Sequence, residues 1–285
     1  MDRRFLPLLL IFLVSCNYFA DREERIFSSP AGYDLASPVR YRVRESMQEI
    51  SGIVLHPDEH NIIAINDEEG YIYQIDVDAT KAYPKWKFGK SGDYEDICRT
   101  DSGWFVLKSN GSLYRVHGLF TNDSLTTDHY KLRKRDGKQE FEATYYDKAK
   151  NSIFMICKNC EDDKKEGVTS AFQFHLDSMT FDSVPAYQFS APEIAKLAGA
   201  DIRFFKPSAA AIHPLEHRLY ILASVNQLLV IADLDGHVQE AHNLRHRLFR
   251  QPEGIGFADN GDMYISNEGG YDGVANILKF TYHKK

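Results

Sequence analysis

Five short segments of the sequence begin with a small or acidic residue, and these residues are the ones best suited to chemistry. They are Ser51, Glu95, Glu142, Ser208 and Glu253, at intervals of 44, 47, 66 and 45 residues. Carboxylates that face a common axis raise each other's pKa unless a cation neutralises them. Ca²⁺ suits such a set because it takes six to eight oxygen ligands. The pattern predicts a calcium site formed by Glu49, Ser51, Glu95, Glu142, Ser208 and Glu253.

The segments that follow these residues share one layout. Each has an apolar strand, a polar turn, a second apolar strand, a Gly- or Asn-rich turn and a third strand. A period in the forties built from short strands is typical of a β-propeller, in which each repeat forms one sheet. The sequence therefore predicts an all-β fold, a β-propeller with five blades, and six blades is the alternative. The innermost strands would bring the opening residues to the central channel.

The third and last repeats differ from the others. The third has extra residues after Cys157, which predict a charged loop at 161–167 and then a short helical insertion near 191–198. Pro192 suits the first turn of that helix, and Gly199 follows its end. The last repeat lacks a fourth strand, and the alternating segment 39–44 could supply it and close the ring.

Polar residues at the ends of the second strands form a second candidate site. They are Asn66, Asp67, Glu68, Lys108, Lys158, Asn267 and Glu268. Mixed charges at a channel mouth could bind a small polar ligand. The alternative is that these residues only form hairpin turns, and that the recurring glutamates only accept hydrogen bonds from neighbouring blades.

The first residues have the layout of a bacterial lipoprotein signal. Two arginines precede a short apolar stretch, and Leu13-Val14-Ser15-Cys16 ends it. We expect a signal peptide at 1–15, a lipidated Cys16 with a tether at 16–37, and the propeller at 38–285. Attachment to the cell envelope, at the outer membrane facing the periplasm, follows from this interpretation, and surface exposure is the alternative.

Charge and cysteine content limit the partners. The net charge is −7, and an acidic chain without a basic cluster in its sequence predicts no nucleic-acid partner. The same reasoning predicts no binding to anionic lipid through the protein's own surface. Cys157 and Cys160 are a candidate disulfide that braces the insertion, and Cys98 is expected to be a buried free thiol.

Four phrases of the sequence resemble the SdiA-regulated family. They lie at 49–53 (EISGI), 65–73 (INDEEGYIY), 92–97 (GDYEDI) and 251–255 (QPEGI), and the resemblance extends over about residues 45–283. It implies a five-bladed propeller distantly similar to NHL-repeat proteins, with a bound calcium ion and no established activity. Asp96 and Ala143 depart from the pattern because the last repeat has Gly at the equivalent position.

Two functions are consistent with these observations. The first is a non-catalytic, calcium-binding module in the envelope that recognises a small ligand, a glycan or a protein. The second is a calcium-dependent hydrolase of lactones or esters, less readily of phosphates, in which Asp67, Glu68 or Glu268 acts as the base. A purely structural scaffold, without a bound ion, is a third possibility.

Overall fold

The computed structural model describes residues 25–56, 58, 60–78, 81–121, 125–133, 137–270 and 273–284. The predicted signal peptide and the lipidated Cys16 lie outside the described residues. Five antiparallel sheets form the molecule, and the predicted all-β, five-bladed propeller is confirmed. Each innermost strand packs against that of the next blade, and the last packs against the first.

The strands are numbered along the chain, and each blade runs from its innermost to its outermost strand. Blade 1 contains β2 (Ile50–Leu55), β3 (Asn61–Asn66), β4 (Tyr71–Asp76) and β5 (Lys85–Lys87). Blade 2 contains β6 (Tyr94–Thr100), β7 (Gly103–Lys108), β8 (Ser112–His117) and β9 (Thr126–Lys131). Blade 3 contains β10 (Phe141–Asp147), β11 (Ser152–Cys157) and β12 (Val168–His175), with both β13 (Thr180–Phe181) and β14 (Tyr187–Ser190) paired to β12. Blade 4 contains β15 (Ala209–Ile212), β16 (Leu219–Ala223), β17 (Leu228–Ala232) and β18 (Val238–Asn243). Blade 5 contains β19 (Pro252–Phe257), β20 (Met263–Asn267), β21 (Asn276–Phe280) and β1 (Val39–Arg42).

The ring is closed by a strand from the other end of the chain. β1 runs antiparallel to β21, with Val39 opposite Lys279 and Arg42 opposite Asn276. The predicted closing strand is therefore confirmed. A single 3₁₀ turn (Glu45–Met47) then carries the chain from the outermost strand of blade 5 to the innermost strand of blade 1.

The insertion of blade 3 contains two α-helices. The predicted one is confirmed as α2 (Ala191–Ala198): the Ser190 hydroxyl accepts a hydrogen bond from the Glu193 N–H, and Gly199 ends the helix in the left-handed conformation. The predicted charged loop is instead a short helix, α1 (Glu161–Glu166), which Gly167 ends. Acidic residues in its first turn and lysines in its last complement the helix dipole, which the loop prediction overlooked. No helix in the described part of the chain is long and apolar enough to cross a membrane.

Serine hydroxyls join the inner parts of neighbouring blades. Ser51 donates to the carbonyl oxygen of Glu95, and Ser208 donates to that of Pro252 at 2.6 Å. Ser266 donates to the carbonyl oxygen of Ser51 at 2.9 Å, where blade 5 meets blade 1. Because these bonds link strands that do not pair in a sheet, they fix the spacing of the innermost strands.

Asp96 makes the corresponding link between blades 2 and 3. Its buried carboxylate accepts the N–H of Thr144 at 2.7 Å and that of Ile97 at 2.8 Å. Gly52 on the neighbouring strand leaves room for it, since a Cβ there would lie 2.6 Å from the Cα of Asp96 and 2.7 Å from the nitrogen of Ile97. Those backbone atoms belong to the inner strand of the next blade and cannot easily move.

Gly52→Ala should therefore destabilise the protein by about 3 kcal/mol, because the added methyl group pushes blades 1 and 2 apart. We expect the melting temperature to fall by roughly 6–12 °C in a chain of this size. Gly256→Ala is the matched control, since its nearest contact is the flexible end of Leu55 at 3.0 Å. Equal melting temperatures for the two variants would contradict the explanation.

Candidate functional site

Four of the five innermost strands contain a β-bulge at the residue that opens the repeat. The register shifts between Tyr94 and Asp96 in β6, between Phe141 and Ala143 in β10, and between Pro252 and Gly254 in β19. A similar shift spans Ser51 and Gly52 in β2. A bulge leaves the extra residue unpaired and redirects its side chain. Glu95, Glu142 and Glu253 are therefore the bulged residues of their blades.

The three glutamates lie close enough to influence each other. Burial raises the pKa of Glu95 to about 10, and the charges of Glu142 and Asp93 add to that effect. Burial also raises the pKa of Glu253 above its ordinary value. The charge of Glu253 also acts to raise the pKa of Glu142, so Glu142 interacts with both of the other glutamates, and the calcium site predicted at these residues stays a prediction. Asp93, which the sequence analysis did not single out, accepts a hydrogen bond from the Ser109 hydroxyl beside them.

A lysine of the protein itself neutralises part of this group. Lys158 follows β11 and forms an ion pair with the buried carboxylate of Glu142. Burial acts to lower the pKa of Lys158, but the charges of Glu142, Glu253 and Glu95 raise it above its ordinary value. Burial raises the pKa of Glu142 to about 7 in spite of this pairing. The Lys158 ammonium group thus acts where the sequence analysis placed a metal ion.

Not all of the residues predicted as metal ligands share one site. The hydroxyls of Ser51 and Ser208 donate to carbonyl oxygens of neighbouring blades, as described above. They therefore hold the blades together in this structure. Glu49, in contrast, lies with two residues from the predicted mouth: carboxylate oxygens of Glu49, Asp67 and Glu268 all lie within 4.8 Å of one another.

Backbone hydrogen bonds bring these three carboxylates together. The segment just before β2 is held by two loops that follow second strands. The N–H of Asp67 donates to the carbonyl oxygen of Glu49 at 3.2 Å, and the N–H of Gly269 donates to that of Gln48 at 2.8 Å. The Gln251 amide also donates to the Glu268 carboxylate at 2.7 Å. The site thus lies where blade 5 meets blade 1.

This cluster, which we name the acidic triad (Glu49, Asp67 and Glu268), is electrostatically strained. Burial, and then the charges of Glu253, Glu49 and Asp67, raise the pKa of Glu268 to about 8. Burial, with Glu49 and Glu68, raises the pKa of Asp67 to about 6. The Oδ1 atom of Asp67 is buried, and among the described residues it has no hydrogen-bond partner. The Oδ1 atom of Asn267, the residue before Glu268, shares that situation.

The remaining residues predicted at the mouth have local roles. Asn66 accepts a hydrogen bond from the Glu69 N–H at 2.8 Å, as a turn residue does. The Lys108 ammonium lies over the ring of Tyr94, 5.3 Å from its centre. Glu68 is exposed, and its carbonyl oxygen accepts the Gly92 N–H at 3.0 Å. The hairpin-turn interpretation therefore suits Asn66 and Glu68.

A second group with metal-ligand chemistry is already engaged. Cys157, Cys160 and Asp163 lie close together, but the two cysteines form a disulfide. Asp163 accepts hydrogen bonds from the N–H and hydroxyl of Ser170, at 2.8 and 2.6 Å. Cys98 is free and buried. These residues stabilise the insertion and the core of blades 2 and 3.

The fold also brings basic residues together. Arginines from separate parts of the chain meet because β1 docks on β21 beside the segment that joins blades 4 and 5. Arg40, Arg42, Arg245, Arg247 and Arg250 line one groove of about 1040 Å³. The absence of a nucleic-acid partner and of binding to anionic lipid stays a prediction.

Comparisons with known proteins agree with this architecture. Glutaminyl cyclase from Myxococcus xanthus superposes with a TM-score of 0.56 at 11% identity, over 87% of this chain and 98% of that one. A luciferin-regenerating enzyme superposes with a TM-score of 0.50 at 9% identity, over 86% and 95% of the two chains. At these identities the similarity shows a shared fold alone. No curated protein matches the sequence. The sequence matches the SdiA-regulated family over residues 33–270, and the chain belongs to that family.

Proposed function

We propose that this protein is a non-catalytic, calcium-binding propeller whose mouth presents the bound ion to a ligand. The observation that carries the proposal is the acidic triad, in which three carboxylates lie within 4.8 Å of one another. In the described part of the chain, none of the three forms a salt bridge with a lysine or an arginine. A divalent cation would relieve the repulsion that Lys158 relieves at Glu142.

The geometry and donor atoms of the acidic triad fit Ca²⁺. Oxygens bound to this ion lie 2.3–2.6 Å from it, so two ligands on opposite sides are about 5 Å apart. The Oδ1 atom of Asp67, which has no hydrogen-bond partner among the described residues, would be a ligand of the bound ion. Six to eight ligands are needed, and water or the Asn267 amide oxygen would complete the set.

Two contacts favour a binding role over the hydrolase alternative. Asp67 and Glu268 belong to the acidic triad, so the residues best placed as a base would be ligands instead. Lys158 is paired with Glu142 and is not free to bind the phosphate group of a substrate. The ligand at the mouth would be a small polar molecule, a glycan or a protein segment.

We further propose that Cys16 carries lipid and attaches the propeller to the outer membrane, facing the periplasm. The support is the signal-like sequence of residues 1–16. Incorporation of labelled fatty acid into the native chain, and its absence in Cys16→Ser, would test this part. Labelling of the serine variant would refute it.

Calorimetric titration of the chelator-treated protein with Ca²⁺ tests the site itself. Glu268→Gln and Asp67→Asn should each weaken calcium binding at least about tenfold, because each removes one charge from the ligand set. The matched control is Glu45→Gln, an exposed carboxylate four residues before Glu49, which should bind calcium like the native chain. Native affinity in both triad variants would refute the proposal.

A further inference from the structure

The groove that Arg40, Arg42, Arg245, Arg247 and Arg250 line, which we name the arginine groove, is basic although the protein is acidic. Arg40 and Arg42 lie two residues apart on β1 and so point to the same side of the strand, while Arg245 and Arg247 come from the segment before β19. All four are exposed. In the described part of the chain none of these four forms a salt bridge, although the chain has a net charge of −7.

Exposed apolar side chains surround this groove. Phe27 and Val274 line it and are 43% and 54% exposed, and the Arg245 guanidinium lies 4.7 Å from the centre of the Phe27 ring. Ile26, next to Phe27, is 78% exposed and lines a neighbouring groove with Leu197 of α2, which is 43% exposed. Soluble proteins seldom collect exposed apolar side chains beside unpaired arginines without an interaction to explain them.

The N-terminal segment is fixed at this place. The Asn243 amide donates to the carbonyl oxygen of Ile26 at 3.0 Å and to that of Ala198 at 2.8 Å. The Ser28 hydroxyl lies 2.8 Å from Nδ1 of His242. Ile26 and Phe27 are therefore held by the propeller with their side chains outward. Together with Leu197, Val274 and the arginine groove, they form what we name the N-terminal face.

We propose that the N-terminal face binds the surface of a bilayer that contains anionic phospholipids. The arginines bind lipid phosphate groups, which match the bidentate geometry of guanidinium. The apolar side chains enter the boundary between headgroups and acyl chains. Each arginine at an anionic surface strengthens binding by about fivefold, so four unpaired arginines form a substantial electrostatic contact.

The length of the preceding chain agrees with this orientation. Cys16 lies nine residues before Arg25, and nine extended residues span at most about 30 Å. A lipid at Cys16 would hold this face near the membrane, an argument that rests on the lipid attachment proposed above. The charge and apolar arguments do not depend on it. A nucleic acid would use the arginines but not the exposed Ile26, Phe27, Leu197 and Val274.

Vesicle sedimentation with the chain from residue 16 onward, carrying Cys16→Ser and kept in chelator, isolates this face. Neither lipidation nor the calcium site contributes under these conditions. We expect binding to vesicles that contain phosphatidylglycerol and none to purely zwitterionic vesicles. Binding should fall when salt rises from about 0.1 M to about 1 M, because the Debye length shrinks from about 10 Å to about 3 Å.

Two sets of substitutions identify the face. Arg40→Gln, Arg245→Gln and Arg247→Gln combined should lower the vesicle affinity at least tenfold, and Ile26→Ser with Phe27→Ser should also lower it severalfold. The matched control combines Arg99→Gln, Lys131→Gln and Arg133→Gln, which removes three exposed cations of blade 2. It should bind vesicles like the parent chain, and melting temperatures should show that all variants fold.

Several results would overturn the proposal. These are no binding to phosphatidylglycerol vesicles, an equal loss in the control variant, and full competition by a single-stranded oligonucleotide with no effect of the Ile26 and Phe27 substitutions. The last result would indicate a general polyanion groove. Displacement from the vesicles by soluble glycerophosphate at equal phosphate concentration would likewise indicate a site for free phosphate.

Discussion

Replacing Lys158 with methionine should destabilise the protein by about 3–5 kcal/mol at about pH 8, the largest effect we expect from any substitution near the channel. The ammonium group pairs with buried Glu142 and also faces Glu95 and Glu253. Its removal leaves an uncompensated buried charge, while methionine keeps the volume of the chain. Denaturant unfolding of the two proteins measures the difference.

The pH dependence of this loss identifies its cause. At about pH 5, below the pKa of about 7 that burial gives Glu142, the carboxyl group is protonated and no longer needs a cation. The cost of Lys158→Met should therefore shrink by about 1–2 kcal/mol, because one pH unit above that pKa is worth about 1.4 kcal/mol. Lys138→Met is the matched control, since Lys138 is 60% exposed in its ion pair with Glu140 and should cost less than about 1 kcal/mol at either pH.

A double-mutant cycle separates charge from packing. Glu142→Gln combined with Lys158→Met should recover much of the stability that the lysine substitution alone removes, because no uncompensated charge remains at the pair. If the double variant were no more stable than Lys158→Met, or if the loss did not depend on pH, the ion pair would not be the source of the effect.

The carboxylates of the channel form two groups, and only one of them lies beside a lysine, Lys158. Glu95, Glu142 and Glu253 share an internal cation, and their raised pKa values allow some of them to be neutral near pH 7. The acidic triad has no such partner among the described residues. A lysine therefore relieves the repulsion between carboxylates in the first group. We propose that a bound metal ion relieves it in the second.

The fold could be predicted from the sequence because each repeat has the same pattern of apolar strands and turn residues. Apolar strands, turn residues and the period in the forties all agree, and the segment 39–44 alternates as an outer strand should. The helix at Ala191–Ala198 was predictable for the same reason, since Pro192 and Gly199 mark its two ends. The helix at Glu161–Glu166 was missed because its residues carry no apolar pattern.

The site was harder to predict because it depends on bulges and on hairpin register. The repeats indicated that Glu95, Glu142 and Glu253 converge, but not that Lys158 pairs with Glu142. Regular counting back from the turn between β10 and β11 would pair Glu142 with Cys157 and place Lys158 on the other face, whereas the bulge shifts the register so that Phe141 lies opposite Cys157. The arginine groove joins residues about 200 positions apart, which proximity along the chain cannot reveal.

The decline of stability with rising pH should be smaller when calcium is present. In chelator, the folded protein keeps protons on Glu268, Glu142 and Asp67, whose pKa values are raised to about 8, about 7 and about 6. The unfolded chain loses these protons near pH 4. The folded state thus binds more protons than the unfolded chain above that pH, so the contribution of these groups to stability is complete below about pH 4 and is lost as the pH rises towards 8. Burial lowers the pKa of His213, so the contribution of this residue to stability increases as the pH rises. We expect the three carboxyl groups with raised pKa values to outweigh this single histidine.

Calcium should reduce this decline, because the ion binds the deprotonated carboxylates of Glu268 and Asp67 and replaces their protons. At a concentration about one hundred times its dissociation constant, it adds about 2.7 kcal/mol, and the gain should be larger at about pH 8 than at about pH 5. Denaturant unfolding at both pH values, with calcium and with chelator, measures the four stabilities. In Glu268→Gln the calcium gain should fall to about 1.4 kcal/mol or less at the same calcium concentration, because binding is at least about tenfold weaker, while Glu45→Gln should retain the full gain. A calcium gain that is equal at both pH values would mean that the ion does not bind the acidic triad, since the raised pKa values there require competition with protons.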